Sequence, residues 1–318
     1  MIDEERYIWL KGEIVKVYDA KVNILSPTAQ FGTNVFEGIR CYWNEKQNQM
    51  YAFRLEEHYC RLQNSAKMFR MICPYSVEKM REYFIDTIKA NAYREDIAVR
   101  QTLFVDGFGS WYSTEPVEMF IAPVVKKRVP NPIVTGECVC ISSWERINSR
   151  DIPPRVKVGA NYINSRLAKL EAMSGGYDSA LFLNRQGFIA EGTGSCFFMI
   201  KGKSLITPML TDSILESITR DTIKKLVGSE LNLEVVERSI DRMELYTCDE
   251  AFFCGSAVEI VPIIQIDGYL VGNGKPGIIT QKIHKLYLDV VTGEIDKYVD
   301  WLTPLYESEQ VYKTYHRG

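Results

Sequence analysis

Apolar positions along this chain recur with two different periods, and the places where the period changes mark its elements. Between residues 54 and 69, Leu55, Tyr59, Leu62, Ala66 and Phe69 fall on one face at helical spacing. Ser76 stands as an N-cap before Val77, Met80, Phe84 and Ile88, which predicts a second amphipathic helix. Stretches 12–17, 97–105 and 118–125 read as strands. The charged, proline-punctuated run Lys126-Lys127-Arg128-Val129-Pro130-Asn131-Pro132 reads as a linker. Beyond it, strands are expected at 137–144, 179–184, 188–190, 196–200 and 251–254, with turns at Arg185-Gln186-Gly187 and at Gly202. A helix over 164–173 should stop at Gly175-Gly176, and another over 218–227 should open on Ser217 and end at Gly228. No internal repeat or low-complexity segment is visible. The pattern predicts an α/β (α+β) protein with a small domain at 1–125, a linker at 126–136 and a larger domain at 137–318, ending in a loosely held polar tail from Tyr306.

Composition narrows the class. A chain of 318 residues with 46% hydrophobic and 25% charged residues can bury a large core and is not disordered. Its net charge of −3, without a basic cluster, argues against a nucleic-acid partner. No apolar run approaches the roughly 18 residues of a membrane span, so no membrane partner is expected. The start, Met1-Ile2-Asp3-Glu4-Glu5-Arg6, is acidic and shows no apolar leader. Eight scattered cysteines without a CxxC suggest reduced, mostly buried thiols in a cytoplasmic protein, with Cys138 and Cys140 on one face of a strand. His58, His284 and His316 have no metal-ligand spacing, so no metal site is expected, and His58 reads as a surface residue.

One lysine draws attention. Lys157 lies between Val156 and Val158, just before Gly159-Ala160-Asn161-Tyr162. Desolvation disfavours an ammonium ion, so a lysine in apolar company can offer the neutral amine that Schiff-base chemistry needs. Glu191 follows a predicted strand and can pair with a protonated ring nitrogen, which keeps a pyridine ring electron-withdrawing. The helix opening at Ser217-Ile218-Thr219 can receive a phosphate, and Arg61 can add a guanidinium fork to it. Taken singly, these features also fit a snorkelling lysine, a turn glutamate, an ordinary capped helix and a surface arginine.

Their order and spacing resemble the branched-chain amino-acid aminotransferase family, the fold type IV pyridoxal-phosphate enzymes. The resemblance is carried by the stretch from Phe31 to Arg40, by Arg61-Leu62 with Ser65-Ala66-Lys67, and by Lys157 to Tyr162. It continues through Glu191-Gly192-Thr193-Gly194, Leu215 to Asp221 and Gly255 to Glu259, and spans about residues 19–301. It implies two domains with pyridoxal 5'-phosphate between them. Lys157 would bind the cofactor and move the proton, Tyr162 would meet its phenolic oxygen, and Glu191 its ring nitrogen. Arg61, Ile218, Thr219 and Ser256 would form the phosphate cup, and Leu215 would pack on the ring. Phe36, Gly38 and Arg40 match the substrate-side stretch. The Gly255-Ser256-Ala257 turn would receive the substrate carboxylate, and Arg100 a distal one. The family is dimeric or larger, and the segment from Phe108 to Tyr112 is the candidate loop reaching a neighbouring chain.

The sequence departs from the family at several substrate positions. Ala98 stands where a tyrosine is usual, Phe31 where tyrosine is frequent, Ser195-Cys196 in place of Glu-Asn, and Glu216-Ser217 in place of Pro-Gly or Glu-Gly. The resemblance therefore implies ping-pong transamination between an aliphatic, branched-chain-like L-amino acid and 2-oxoglutarate. A fold type IV transaminase for another amine, a D-amino acid or a specialised-metabolism amino acid stays open, as does a lyase of the aminodeoxychorismate type. A non-catalytic cofactor-binding protein would leave Lys157 idle.

Overall fold

The computed structural model describes residues 5–306, so all but the first residue of the expected tail lies outside the described residues. The chain forms two compact units, one made of residues up to Arg128 together with those from Asp289 onward, the other of Val129–Leu288.

The first unit is built on an antiparallel sheet. Its strands are β1 (Tyr7–Leu10), β2 (Glu13–Lys16), β3 (Asn34–Asn44), β4 (Gln49–Phe53), β5 (Ile97–Val105) and β6 (Val117–Val125). A C-terminal strand, Leu302–Pro304, completes it in the order Leu302–Pro304, β4, β3, β5, β6, β1, β2. That strand pairs Leu302 with Phe53 and Pro304 with Tyr51. Residues 289–306 therefore belong with the first unit and not with the second domain in which the sequence reading grouped them. Short α1 (Pro27–Phe31) precedes β3, and α2 (Leu55–Met68) and α3 (Val77–Asn91) lie between β4 and β5. The apolar stripe of α2 buries Leu55, Tyr59, Leu62 and Ala66, as its periodicity predicts. Ser76 Oγ accepts a hydrogen bond from Lys79 N at 3.3 Å and caps α3. Trp9 of β1 stacks on Tyr83 of α3 with ring centroids 4.6 Å apart.

The second unit holds a mixed nine-stranded sheet. Its strands are β7 (Glu137–Ile141), β8 (Ser179–Leu183), β9 (Ile189–Gly192), β10 (Cys196–Lys201), β11 (Ser204–Thr207), β12 (Glu234–Glu237), β13 (Glu250–Gly255), β14 (Glu259–Ile266) and β15 (Tyr269–Leu270). The order is β12-β11-β10-β13-β14-β7-β8-β9, with β15 on β14. The β11–β12, β14–β7 and β7–β8 pairs are parallel and the others antiparallel. One core joins Val139, Leu181, Ile189, Phe197, Met199, Phe253 and Ile263. A second places Ala168 and Ala172 of α4 (Tyr162–Ser174) against Ala180, Phe182 and Ala190. The helix after Ser217, α5 (Ile218–Glu230), runs straight through Gly228 instead of ending there. Leu226 and Val227 anchor the turn before Gly228 in the core, so the modest helix penalty of one glycine is overridden. Residues 126–136 contain neither helix nor strand. All eight cysteines are free, and four of them, Cys41, Cys196, Cys248 and Cys254, are buried.

Candidate active site

Lys157 sits on a loop whose backbone is anchored on both sides. Val156 and Val158 are buried, and Val158 N donates to Val156 O at 3.0 Å. Asn161, itself buried, donates through Nδ2 to Val156 O at 3.0 Å and to Pro153 O at 3.3 Å. The lysine between the valines is only half-buried, and its Nζ donates to Tyr162 Oη at 3.2 Å. A presented amine beside a phenol is the result. Apolar neighbours in sequence point into the core here and leave the lysine side chain partly open.

Glu191 lies within β9, which continues to Gly192, and not in a turn after it. Its carboxylate is nearly enclosed, which rules out the solvated turn glutamate. Oε1 stands 2.6 Å from Arg146 Nη2. Oε2 accepts from Leu215 N at 3.1 Å and faces the Cys196 thiol at 3.9 Å. Gly192 must be glycine, because a Cβ there would stand 2.6 Å from Phe253 Cε1. Arg146 escaped the sequence reading. No motif marks it, although a buried carboxylate requires a cationic or hydrogen-bonding partner, and that requirement is the signal that could have found it.

The contact from Leu215 N to Glu191 ties β9 to the segment that opens α5. Ser217 Oγ accepts from Arg220 N at 3.2 Å and caps the helix. Ile218 and Thr219 occupy its first turn, where backbone N–H groups have no intrahelical acceptor and the helix dipole is positive. Arg220 is buried and clamps α5 to the sheet, donating to Thr207 Oγ1 at 3.0 Å and pairing with Glu237 at 2.6 Å. Arg155, on the lysine loop, pairs with Glu216 on the segment before α5. Ser256 and Ala257 form the turn after β13, closed by Val258 N donating to Gly255 O at 3.1 Å. Within this unit the structure thus joins Lys157 to Tyr162, Glu191 to Leu215, and the lysine loop to the start of α5.

The remaining candidates lie in the first unit. The β3–β5 register pairs Phe36 with Thr102, Gly38 with Arg100 and Arg40 with Ala98. Strand alternation therefore puts Phe36, Gly38, Arg40, Ala98 and Arg100 on one face. The Arg100 guanidinium lies 3.7 Å from the centre of the Phe36 ring, and that of Arg40 lies 5.1 Å from the Tyr42 ring. Phe31 closes α1 and is half-exposed.

Glu37 points to the opposite face, toward α2. There it accepts from Arg61 Nε at 2.7 Å and Arg61 Nη2 at 2.6 Å, with His58 Nδ1 at 2.6 Å. His58 is fully buried, contrary to its surface reading, because its helix turn faces the sheet and Glu37 satisfies the ring. Burial pushes the Glu37 carboxyl up, but the charges of Arg61 and His58 outweigh it and hold the group far below the usual carboxylate range. Phe108 and Trp111 are exposed, and their loop is fastened to the 18–25 segment by Asn23 Nδ2 donating to Gly107 O at 2.9 Å.

The family model described as amino-transferase class IV matches residues 34–266. A probable branched-chain-amino-acid aminotransferase of Aquifex aeolicus is 39% identical over 306 residues, covering 95% of this chain and 97% of that protein. The crystal structure of the branched-chain amino acid aminotransferase from Thermobaculum terrenum in its PLP form superposes with a TM-score of 0.90 at 42% identity, covering 96% and 100% of the two chains. A T.th. branched-chain amino acid aminotransferase complexed with N-(5'-phosphopyridoxyl)-L-glutamate superposes at 0.89 with 34% identity, covering 95% and 99%.

Proposed function

The chain belongs to the amino-transferase class IV family and is a pyridoxal-phosphate-dependent aminotransferase, and from that premise we propose that it moves the amino group of a branched-chain aliphatic L-amino acid onto 2-oxoglutarate. The observation that carries the reading is the pairing of Lys157 Nζ with Tyr162 Oη at 3.2 Å in a unit that also buries a carboxylate at Glu191. An amine beside a phenol, a buried anion and a capped helix N-terminus are the donor set that pyridoxal phosphate requires at its carbonyl, ring nitrogen and phosphate. When bound, the cofactor supplies an electrophilic carbonyl and a ring that takes up the electron pair of the substrate Cα–H bond.

In this proposal Lys157 Nζ would hold the cofactor at that carbonyl and, once displaced by the amino donor, would be the base that takes the proton from the substrate Cα. Tyr162 Oη orients the phenolic side of the ring, and Glu191 accepts the N–H of its nitrogen. Leu215 packs on the ring face. Ile218 and Thr219 at the head of α5, with Ser256 and Arg61, hold the phosphate. The backbone N–H groups at Ser256 and Ala257 receive the substrate carboxylate. Phe36, Gly38, Arg40 and Ala98 shape the side-chain pocket, and Arg100 meets the distal carboxylate of the acceptor. The glutamate adduct of the T.th. relative supports a five-carbon dicarboxylate acceptor.

The protein acts as a homodimer or larger homo-oligomer in this reading. Support comes from the exposed Tyr18, Ile24, Phe108 and Trp111 on two fastened loops. Among the described residues no helix is long and apolar enough to cross a membrane. The free thiols support residence in the cytoplasm.

Steady-state kcat/KM for leucine, isoleucine, valine, phenylalanine, D-alanine and a simple chiral amine tests the substrate claim. The three branched-chain donors should lead. A D-amino acid or chiral amine in first place would overturn it and assign the pocket around Ala98 to another amine. Ala98→Tyr adds a hydroxyl opposite Arg40 and should improve leucine by about 1 kcal/mol in transition-state binding.

A further inference from the structure

We infer that Arg146 is a positioning residue for the reaction: it keeps the Glu191 carboxylate ionised and aimed, so that the proton of a ring nitrogen facing Glu191 stays on that nitrogen. The inference rests on the aminotransferase reading and adds to it a residue outside the cofactor set.

Both partners are nearly enclosed, with side-chain exposures of 7% and 6%. A lone carboxylate in such surroundings takes up a proton to avoid the cost of a buried charge. A protonated Glu191 would donate a hydrogen bond to a ring nitrogen, leave that nitrogen neutral, and remove the electron-withdrawing power of the ring. A fixed cation behind the carboxylate prevents this. Arg146 is fixed on several sides: its backbone N donates to Leu183 O at 2.8 Å, Nη1 donates to Asn164 Oδ1 at 3.3 Å, and the guanidinium lies 5.6 Å from the Phe182 ring. The contact with Asn164 reaches α4, two residues beyond Tyr162, so one guanidinium links the residue proposed for the ring nitrogen to the helix that begins with the residue proposed for the phenolic oxygen. Its Nε is buried and has no hydrogen-bond partner among the described residues. The two terminal nitrogens of the fork are divided between Glu191, met by Nη2, and Asn164, met by Nη1. Lysine, a compact charge on one nitrogen, lacks the planar fork that meets the two acceptors from separate nitrogens.

The test uses the full chain labelled with carboxyl-¹³C glutamate, examined by infrared difference spectroscopy with and without pyridoxal phosphate. Without cofactor, wild type minus Glu191→Gln should show an ionised carboxylate. Arg146→Met should show a protonated carboxyl that disappears in the Arg146→Met/Glu191→Gln double variant. With cofactor, Arg146→Met should lower kcat tenfold or more, and should lower it no further when Glu191 is already glutamine. An ionised Glu191 in Arg146→Met, or additive losses in the double variant, overturns the inference. If Arg146→Met does not fold, the double variant, which removes both charges, should fold; if it too fails, Arg146 is a structural residue and the inference falls. Failure of the aminotransferase reading is separate, since it appears as wild type that neither binds pyridoxal phosphate nor transaminates while the infrared result stands.

Discussion

Replacing Glu37 by glutamine isolates the charge that holds Arg61. Both carboxylate oxygens are engaged, Oε1 by Arg61 Nε at 2.7 Å and Oε2 by Arg61 Nη2 and His58 Nδ1, each at 2.6 Å. Glu37 has no exposed surface and the Arg61 side chain only 10%, so solvent screens the pair little. Removing one partner of a buried ion pair costs roughly 3–5 kcal/mol, because the other charge stays behind. Glutamine keeps one acceptor oxygen, which puts the expected loss at the lower end, about 3 kcal/mol. At ~2–4 °C per kcal/mol for a unit of this size, the melting point should fall by roughly 6–12 °C. Urea unfolding followed by tryptophan fluorescence reads the right unit, since Trp9, Trp43, Trp111 and Trp301 lie in it and only Trp144 in the other. Glu37→Gln/Arg61→Met should recover much of the loss by removing the orphaned charge. A loss below about 1 kcal/mol would show that the pair behaves like a surface salt bridge and refute the reasoning.

Three further outcomes follow from the same physics. Because the folded-state pKa of Glu37 lies below its unfolded value of about 4.3, its contribution is fully present above that pH and drains away as pH falls below it; acid unfolding of wild type should be steeper there than that of Glu37→Gln. His284 is pushed down by burial, with its Nε2 3.2 Å from Pro130 O, so it favours the folded state above pH ~6.5 and this contribution is lost as pH falls through the lowered folded value; a His284→Gln variant should have a flatter stability profile just below pH 6.5. Glu191→Gln should retain pyridoxal phosphate but slow proton removal by ~10²-fold, measurable as a substrate-deuterium isotope effect on kcat, and wild-type rates in that variant would remove Glu191 from the chemistry.

Much of this protein is legible in its sequence where one face is apolar and the other polar. The stripes of α2 and α3 and the cap at Ser76 are of that kind, and the structure carries them within a residue or two. β3 is not. It is buried on both faces and carries Glu37 and Arg40 inside, so its eleven residues show no clean alternation. For the same reason His58 looked like a surface residue: the charge that welcomes it comes from a strand 21 residues earlier. Arg146 and Glu191 are 45 positions apart in the chain, and nothing local announces their pairing. The place of Leu302–Pro304 beside β4 is likewise a long-range fact. Local spacing identifies the ends of elements; it does not reveal which buried charges will meet.

The central claim is that this aminotransferase works through Lys157. Purified protein loaded with pyridoxal phosphate can be reduced with borohydride, digested, and its peptides mapped by mass spectrometry. The account predicts a single phosphopyridoxyl adduct on Lys157, with no adduct and no transamination in Lys157→Ala. An adduct on any other lysine, or undiminished turnover in that variant, would contradict it.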